Sequence, residues 1–344
     1  MRALFCGLGS IGQRHLRNLR ELVPDVEIIG YRARRSSPVL EADMTVRAGA
    51  ALESTYGIRS FDRLDDALAQ RPDVVFVTNP NTHHIAVARA AAAADCHLFI
   101  EKPLSHSLEG VPELIEVVER KHLVALVGYQ FRFHPGLAAV KNLIDNGRLG
   151  RIVAAHIVNG EYLPDWHPYE DYRGTHPARR DLGGGALRIQ THEFDYASWL
   201  FGRPQRVYAV GGQLSRLEVD VEDSVSVLLT CTMDGRPIPV HVHLDYLQRP
   251  PQRVCEVIGD AGRLRFDYYA KRLEFWDLPT GRVNVLCFDA FERGEMFLAE
   301  LRHFLACVRG DEKPMVDLRE AAASLAISLG ADESLRSGRA VELV

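Results

Sequence analysis

Three segments combine residue types with spacings suited to redox chemistry. The first is Cys6-Gly7-Leu8-Gly9-Ser10-Ile11-Gly12, which follows a short apolar run and opens a helical stretch. In that context a G-x-G-x-x-G pattern points to a dinucleotide. Gly7 permits the tight turn, Gly9 lets the backbone approach a pyrophosphate, and Gly12 lets the helix pack on the sheet. The N–H groups that open the helix, at Ser10 and Ile11, then face the diphosphate. An ordinary strand-to-helix turn and an S-adenosylmethionine loop stay open as alternatives, with the dinucleotide well ahead.

The second segment is Glu101-Lys102-Pro103, at the end of an apolar run. Strand ends on that edge of an open α/β sheet line the ligand crevice. A lysine there can bind a substrate hydroxyl and assist proton transfer. Most lysines are solvated surface charges, so the position is the argument. The third is Gly183-Gly184-Gly185 leading into a helix that carries Arg188, Gln190, His192 and Asp195. Arg188 and Asp195 lie four and three positions from His192 and share its helical neighbourhood. A histidine titrating near neutrality suits proton exchange with an alcohol during hydride transfer. A purely capping histidine fits the spacing equally well.

The end of the second strand selects the cofactor. An acid about 20 residues past the glycine loop would hold the 2′-hydroxyl of NAD. Arg32, Arg34 and Arg35 stand there instead, with no carboxylate beside them. Arginines there can bind a 2′-phosphate, so the sequence leans to NADP over NAD. A solvated basic loop is the competing explanation.

The elements that must position these groups alternate strand and helix up to residue 129, which predicts a parallel sheet covered on both faces. Strands are expected at residues 2–6, 27–31, 73–78, 97–100 and 123–129. Helices are expected at 11–22, 86–94 and 108–121. Beyond about residue 150, strand-like runs follow one another across turns at 151–159, 206–211, 224–232, 239–246, 253–259 and 263–266, so an antiparallel or mixed sheet is expected. Helices return at 296–307 and 318–335. The expected architecture is α/β: an N-terminal Rossmann domain over 1–128, then an α/β domain with a large, mostly antiparallel open sheet over 129–344. The last helices are candidates to pack back on the first domain.

Bulk properties exclude other classes. The chain has 344 residues, 47% hydrophobic and 25% charged, with a net charge of −5. That length suits two domains, and the charge gives no reason to expect nucleic acid as a partner. No window approaches a membrane span and no secretory signal opens the chain, so a cytoplasmic location without membrane contact is expected. The six cysteines form no C-x-x-C pair and suggest reduced thiols without a metal. His241, His243 and Asp245 share one face of a strand, which favours a half-exposed surface over a metal site.

Together these segments resemble the glucose–fructose oxidoreductase, inositol dehydrogenase and rhizopine catabolism (Gfo/Idh/MocA) family, over nearly the whole chain. The resemblance rests on the glycine loop, Thr78-Asn79-Pro80-Asn81-Thr82-His83-His84, Glu101-Lys102-Pro103, Gly128-Tyr129-Gln130-Phe131-Arg132-Phe133-His134-Pro135 and the triple-glycine helix, in that order. It implies hydride transfer between a nicotinamide and a hydroxyl of a sugar, nucleotide-sugar or cyclitol. Lys102 and His192 would be catalytic. Asn79, Pro80, Asn81, His84, Glu101 and Gln130 would flank the cofactor, and Arg132, Arg188, Gln190 and Asp195 would face the substrate. It also implies a homodimer or homotetramer built through the open sheet.

Two departures stand out. Many members carry an aspartate three or four positions before the histidine, where this chain has Ile189 and Arg188. Gln130 replaces a frequent asparagine. Residues 162–173 are aromatic and polar, and are similar to a subgroup found among bacterial surface-sugar enzymes. Trp166 can stack on a sugar ring there, and Arg173, Arg179 and Arg180 can bind an anionic group. A structured surface loop competes with each of these roles. A catalytically silent NAD(P)-sensing protein on the same scaffold is the alternative function.

Overall fold

The computed structural model describes residues 1–32 and 37–343. The chain divides into two compact units. The first comprises Met1–Tyr129 with Phe297–Ala322, and the second Gln130–Met296 with Ala323–Val344.

In the first unit, strands β1 (Arg2–Cys6), β2 (Glu27–Tyr31), β3 (Arg59–Phe61), β4 (Val74–Val77), β5 (His97–Glu101) and β6 (Ala125–Gly128) form one sheet. Its order is β3-β2-β1-β4-β5-β6, and every pairing is parallel. Helices α1 (Ser10–Leu22), α2 (Leu52–Tyr56), α3 (Leu64–Leu68), α4 (His84–Ala93) and α5 (Val111–Arg120) belong to the same unit. The strands are continuous apolar runs because both faces are covered. Phe5, Phe76 and Phe99 stack across β1, β4 and β5 with ring centroids 4.4 and 5.3 Å apart. Each such fully buried ring contributes about 1.5–3 kcal/mol. Helix α4 packs through Val87, Ala88, Ala91 and Ala92, whose small side chains let it lie close to the sheet.

The strand order reverses at β1. β2 lies on one side of it and β4 on the other, which makes the C-terminal ends of β1 and β4 the switch point where such sheets bind ligands. Gly7 follows β1, Asn79 follows β4 by two residues, and Lys102 follows β5. β3 is a strand the periodicity does not predict. It is three residues long and half exposed, too short to show alternation.

The second unit begins with α6 (Pro135–Asp145). Its sheet contains β7 (Ile152–Gly160), β8 (Arg206–Gly212), β9 (Ser224–Met233), β10 (Arg236–Asp245), β11 (Gln252–Gly259), β12 (Gly262–Asp267), β13 (Arg272–Asp277), β14 (Arg282–Cys287) and β15 (Val341–Glu342). The order is β14-β13-β12-β11-β7-β10-β9-β8-β15, and β7 with β10 is the parallel pair among antiparallel ones. One face buries Ile157, Val227, Leu229, Val240, Val242 and Leu244, together with Phe194, Ala197 and Phe201 of α8 (His192–Phe201). Helix α7 (Ala186–Ile189) precedes α8, and α9 (Arg293–Arg309) and α10 (Leu318–Ser337) close the chain. β13, β14 and β15 are additions to the expected strands. All six residues of β14 are exposed, so it lacks the apolar alternation of a half-buried strand. Among the described residues no helix is long and apolar enough to cross a membrane.

His134 caps α6, its Nδ1 accepting the Gly136 N–H at 2.9 Å. Its ring lies among Phe266, Tyr268 and Phe291. Burial, reinforced by the nearby Arg253 charge, pushes its pKa down from 6.5 to about 4. The neutral ring therefore stabilises the fold above pH 6.5, and that contribution is lost as pH falls through about 4. It amounts to about 3 kcal/mol. His134→Asn keeps a capping acceptor but cannot titrate. Its urea midpoint should fall less steeply than the parent's between pH 6.5 and 4, and parallel curves would assign the acid sensitivity elsewhere.

Candidate active site

In the first unit the glycine loop has the shape a diphosphate requires. Gly7 has φ +107°, and a Cβ there would lie 2.7 Å from the Asn79 nitrogen. A Cβ on Gly12 would lie 2.3 Å from the Gly7 carbonyl oxygen, so helix and loop touch backbone to backbone. Around Gly9 no heavy atom lies within 4 Å of the Cβ position. No side chain caps α1 and no acid stands in its first turn. The first N–H groups of α1, at Ser10 and Ile11, remain free of intrahelical acceptors and favour an anion. The loop is also stitched to the β4 end, where Thr78 Oγ1 donates to the Gly7 carbonyl at 2.6 Å.

At the end of β2 one of the three arginines, Arg32, lies within the described residues. Arg32 is buried, and its guanidinium pairs with Glu53 at the start of α2. Glu53 Oε1 also accepts from Ser60 Oγ at 2.8 Å. Burial pushes the Glu53 pKa up, but the bonds from Ser60, its own backbone and Arg32 outweigh that and hold the group below its usual value. Glu53 thus brings a carboxylate from α2 to the end of β2, where it pairs with Arg32. Arg34 and Arg35 lie outside the described residues.

Around Lys102 the chain is buried at Ile100, Glu101, Pro103, Leu104 and Ser105, whereas Lys102 itself is half-buried. The Lys102–Pro103 peptide is cis. Glu101 Oε2 accepts the Lys102 backbone N–H at 3.1 Å, and its Oε1 accepts from His15 Nε2 at 2.6 Å. His15 is fully buried in α1 against Phe99. A lone histidine five residues into that helix gives no signal in the sequence, because its partner is 86 positions away. His84 is also buried, and its two ring nitrogens face the Pro103 carbonyl at 2.9 Å and the Asn79 carbonyl at 2.7 Å. Burial lowers its pKa, opposed by the two carbonyls. His84 thus lies between two strand ends, its single N–H in the neutral ring donating to one of the two carbonyls. Pro80 is exposed and Asn81 is buried at the start of a single turn after β4.

In the second unit the helix after the glycines is two helices. α7 ends at Ile189 and α8 starts at His192, with Gln190 and Thr191 breaking the periodicity. The expected stacking of Arg188 on His192 is therefore absent, and Arg188 pairs with Asp332 at 3.2 Å. His192 and Asp195 do share the first turn of α8. His192 is buried with its ring 4.9 Å from Phe131. Asp195 is fully buried and engaged by Arg132 through two bonds of 2.9 and 2.8 Å. Those two residues serve each other rather than standing open to a substrate. Gln190 donates to the Asp245 carbonyl at 3.0 Å, and Gln130 is buried in the turn before α6.

A second buried ion pair underlies His192. Arg253 Nε donates to Glu193 Oε1 at 2.9 Å, and its guanidinium lies 4.2 Å from the Phe131 ring centroid. Sequence reading missed both partners, which sit on different elements 60 positions apart. Trp166 meets the Tyr246 ring edge-on at 5.3 Å. The arginines expected to bind an anion are occupied by protein oxygens. Arg173 pairs with Asp171 and Glu218, Arg179 with Asp181, and Arg180 donates to the Asp220 carbonyl. On the sheet, His243 contacts Ser226 and Asp245. Among the described residues no group of three or more His, Cys, Asp or Glu side chains is arranged to hold a metal.

Comparison with known proteins adds an independent line. Residues 1–129 match the oxidoreductase family, NAD-binding Rossmann fold, of the Gfo/Idh/MocA group, and residues 137–265 match the Gfo/Idh/MocA C-terminal domain. Myo-inositol 2-dehydrogenase of Thermotoga maritima is 27% identical over 357 residues, covering 100% of this chain and 98% of that protein. The WlbA dehydrogenase from Bordetella pertussis, solved with NADH and UDP-GlcNAcA, superposes with a TM-score of 0.79 at 24% identity, covering 100% and 99% of the two chains. Levoglucosan dehydrogenase, solved with NADH, superposes with a TM-score of 0.84 at 19% identity over 100% and 99%. At these identities the two superpositions speak to the fold alone.

Proposed function

The chain belongs to the Gfo/Idh/MocA family of oxidoreductases, and from that premise we propose that it transfers a hydride between NAD(H) and a hydroxyl or ketone of a sugar, nucleotide-sugar or cyclitol. The observation that carries this reading is Lys102, a half-buried lysine in an otherwise buried run at the ligand-binding edge of the Rossmann sheet. The relatives point to the substrate class. Among them are an inositol dehydrogenase and a levoglucosan dehydrogenase 27% and 31% identical to this chain.

When bound, the nicotinamide supplies the hydride acceptor or donor. The chain's own residues bind, orient and move the proton. The open backbone at Gly9 and the uncapped start of α1 hold the diphosphate. Lys102 binds the substrate hydroxyl and assists departure of its proton. His192, fixed at the first position of α8, is the second group for proton exchange. Ile189 and Arg188 stand where an aspartate was expected, and the two carboxylates in the first turn of α8, Glu193 and Asp195, are paired with Arg253 and Arg132.

A panel of cyclitols, sugars and nucleotide-sugars assayed with NAD+ should reveal turnover by the parent enzyme. Lys102→Ala should lower kcat/KM on the best substrate by at least about 100-fold, the scale of general acid–base assistance. Full turnover by that variant would remove the role given to Lys102. NADH binding with no turnover anywhere in the panel would favour a sensor.

The sequence favoured NADP, but the Arg32–Glu53 pair weighs toward NAD(H), since a 2′-phosphate would meet a carboxylate there. Glu53→Gln should free Arg32 and improve NADPH binding relative to NADH by about tenfold, the value of one charge-assisted contact. An unchanged ratio in fluorescence titrations would leave Glu53 out of cofactor selection.

For assembly, we take the outer face of the nine-stranded sheet as the surface joining two copies. Tyr208, Val210 and Leu228 are exposed there, next to one another on β8 and β9. Leu228→Glu should convert a dimer to monomers in light scattering, and an unchanged mass would place the interface elsewhere.

A further inference from the structure

Two buried histidines bracket Lys102. On its N-terminal side, His15 holds the Glu101 carboxylate at 2.6 Å, and the same carboxylate accepts the Lys102 backbone N–H. On its C-terminal side, His84 faces the Pro103 carbonyl at 2.9 Å with one nitrogen and the Asn79 carbonyl at 2.7 Å with the other. The histidines come from different helices, α1 and α4, which follow β1 and β4. Both rings are almost completely inaccessible. His15 sits against Phe99, with Phe76 and Phe297 near, and among the described residues its Nδ1 has no hydrogen-bond partner. A ring with an apolar cage on one side and one carboxylate on the other is held in a single orientation. Beside Glu101, β6 presents Gly128, where a Cβ would come within 3.4 Å of Glu101 Oε1.

We propose that His15 and His84 are positioning residues that hold the residues on either side of Lys102 and thereby set where its amine projects. Neither touches a reacting atom. Each ties the strand end that bears Lys102 to a different neighbouring element: α1 behind the glycine loop, and the β4 end at Asn79. The lysine backbone is thus held from both sides, while the residue as a whole is half-buried. Small displacements of a catalytic group are costly, and rigid support from neighbouring side chains is what limits them. The catalytic part of this inference rests on the oxidoreductase reading above. The structural part, that the two histidines hold Lys102, does not.

The test uses the full chain and two measurements. The protein has five lysines, so labelling with lysine 13C-enriched at Cε gives five signals, and Lys102→Arg identifies one of them. His84→Phe keeps an aromatic ring and removes the two nitrogens that face the Pro103 and Asn79 carbonyls. It should move the Lys102 signal, leave the other four in place, and lower kcat at least about tenfold, with the NADH dissociation constant within about threefold of the parent. His84→Asn, whose amide can donate to one carbonyl, should recover part of both effects, and it serves as the variant of record if the phenylalanine form does not fold. His15→Leu should act on the same signal from the other side. A stationary Lys102 signal in these variants overturns the proposal, even if kcat falls. A displaced signal with unchanged kcat overturns its catalytic part. Absence of turnover in the parent enzyme would count against the oxidoreductase reading instead, and the lysine spectra would still decide whether the histidines hold Lys102.

Discussion

The 2.6 Å hydrogen bond from His15 to Glu101 couples the two sequence segments most concerned with chemistry. One end sits on the helix that follows the glycine loop. The other sits on the residue before Lys102. The bond forms only if β1 and β5 are both in register with β4, which separates them in the sheet. It also requires Phe76 and Phe99 to fill the space around the imidazole. Core packing and site geometry are therefore one constraint here. A buried acceptor left without its donor costs about 1–3 kcal/mol or more for a charged group, so the pair resists loosening.

The second unit uses the same device with charges. His192 stands at the start of α8, flanked by two residues whose carboxylates are buried and paired. Glu193 is engaged by Arg253, and Asp195 by Arg132. Breaking either pair would leave an isolated buried charge, which costs far more than the intact pair contributes. Arg253 in turn lies over Phe131, and Phe131 contacts the His192 ring. The imidazole is thus oriented by an aromatic ring that a buried guanidinium keeps in place. Two residues assigned to substrate by resemblance, Arg132 and Asp195, belong to this support.

Much of this was legible in the sequence, for identifiable reasons. The parallel strands show as unbroken apolar runs such as Val74–Val77, and the glycine loop needs only local backbone geometry to be recognised. The position of Lys102 at a strand end was legible because it is itself a local property. What escaped depends on distant partners. Nothing near His15 signals Glu101, and nothing near Arg32 signals Glu53, which lies on a separate helix. The break between α7 and α8 was also hidden, because Ile189-Gln190-Thr191 contains no glycine or proline to mark it. Strand β14 was missed for the opposite reason: with every residue exposed, its pairing to β13 is a backbone matter that leaves no trace in side-chain pattern.

The central claim is direct hydride transfer at a carbinol carbon, and isotope tracing tests it most directly. The best substrate of the panel, carrying deuterium on the carbon that is oxidised, is incubated with NAD+ in ordinary water, and the nicotinamide product is examined by mass spectrometry and NMR. Direct transfer leaves one deuterium at C4 of the NADH for each substrate oxidised. Deuterium released to water, or substrate conversion with no label on the nicotinamide, would contradict it.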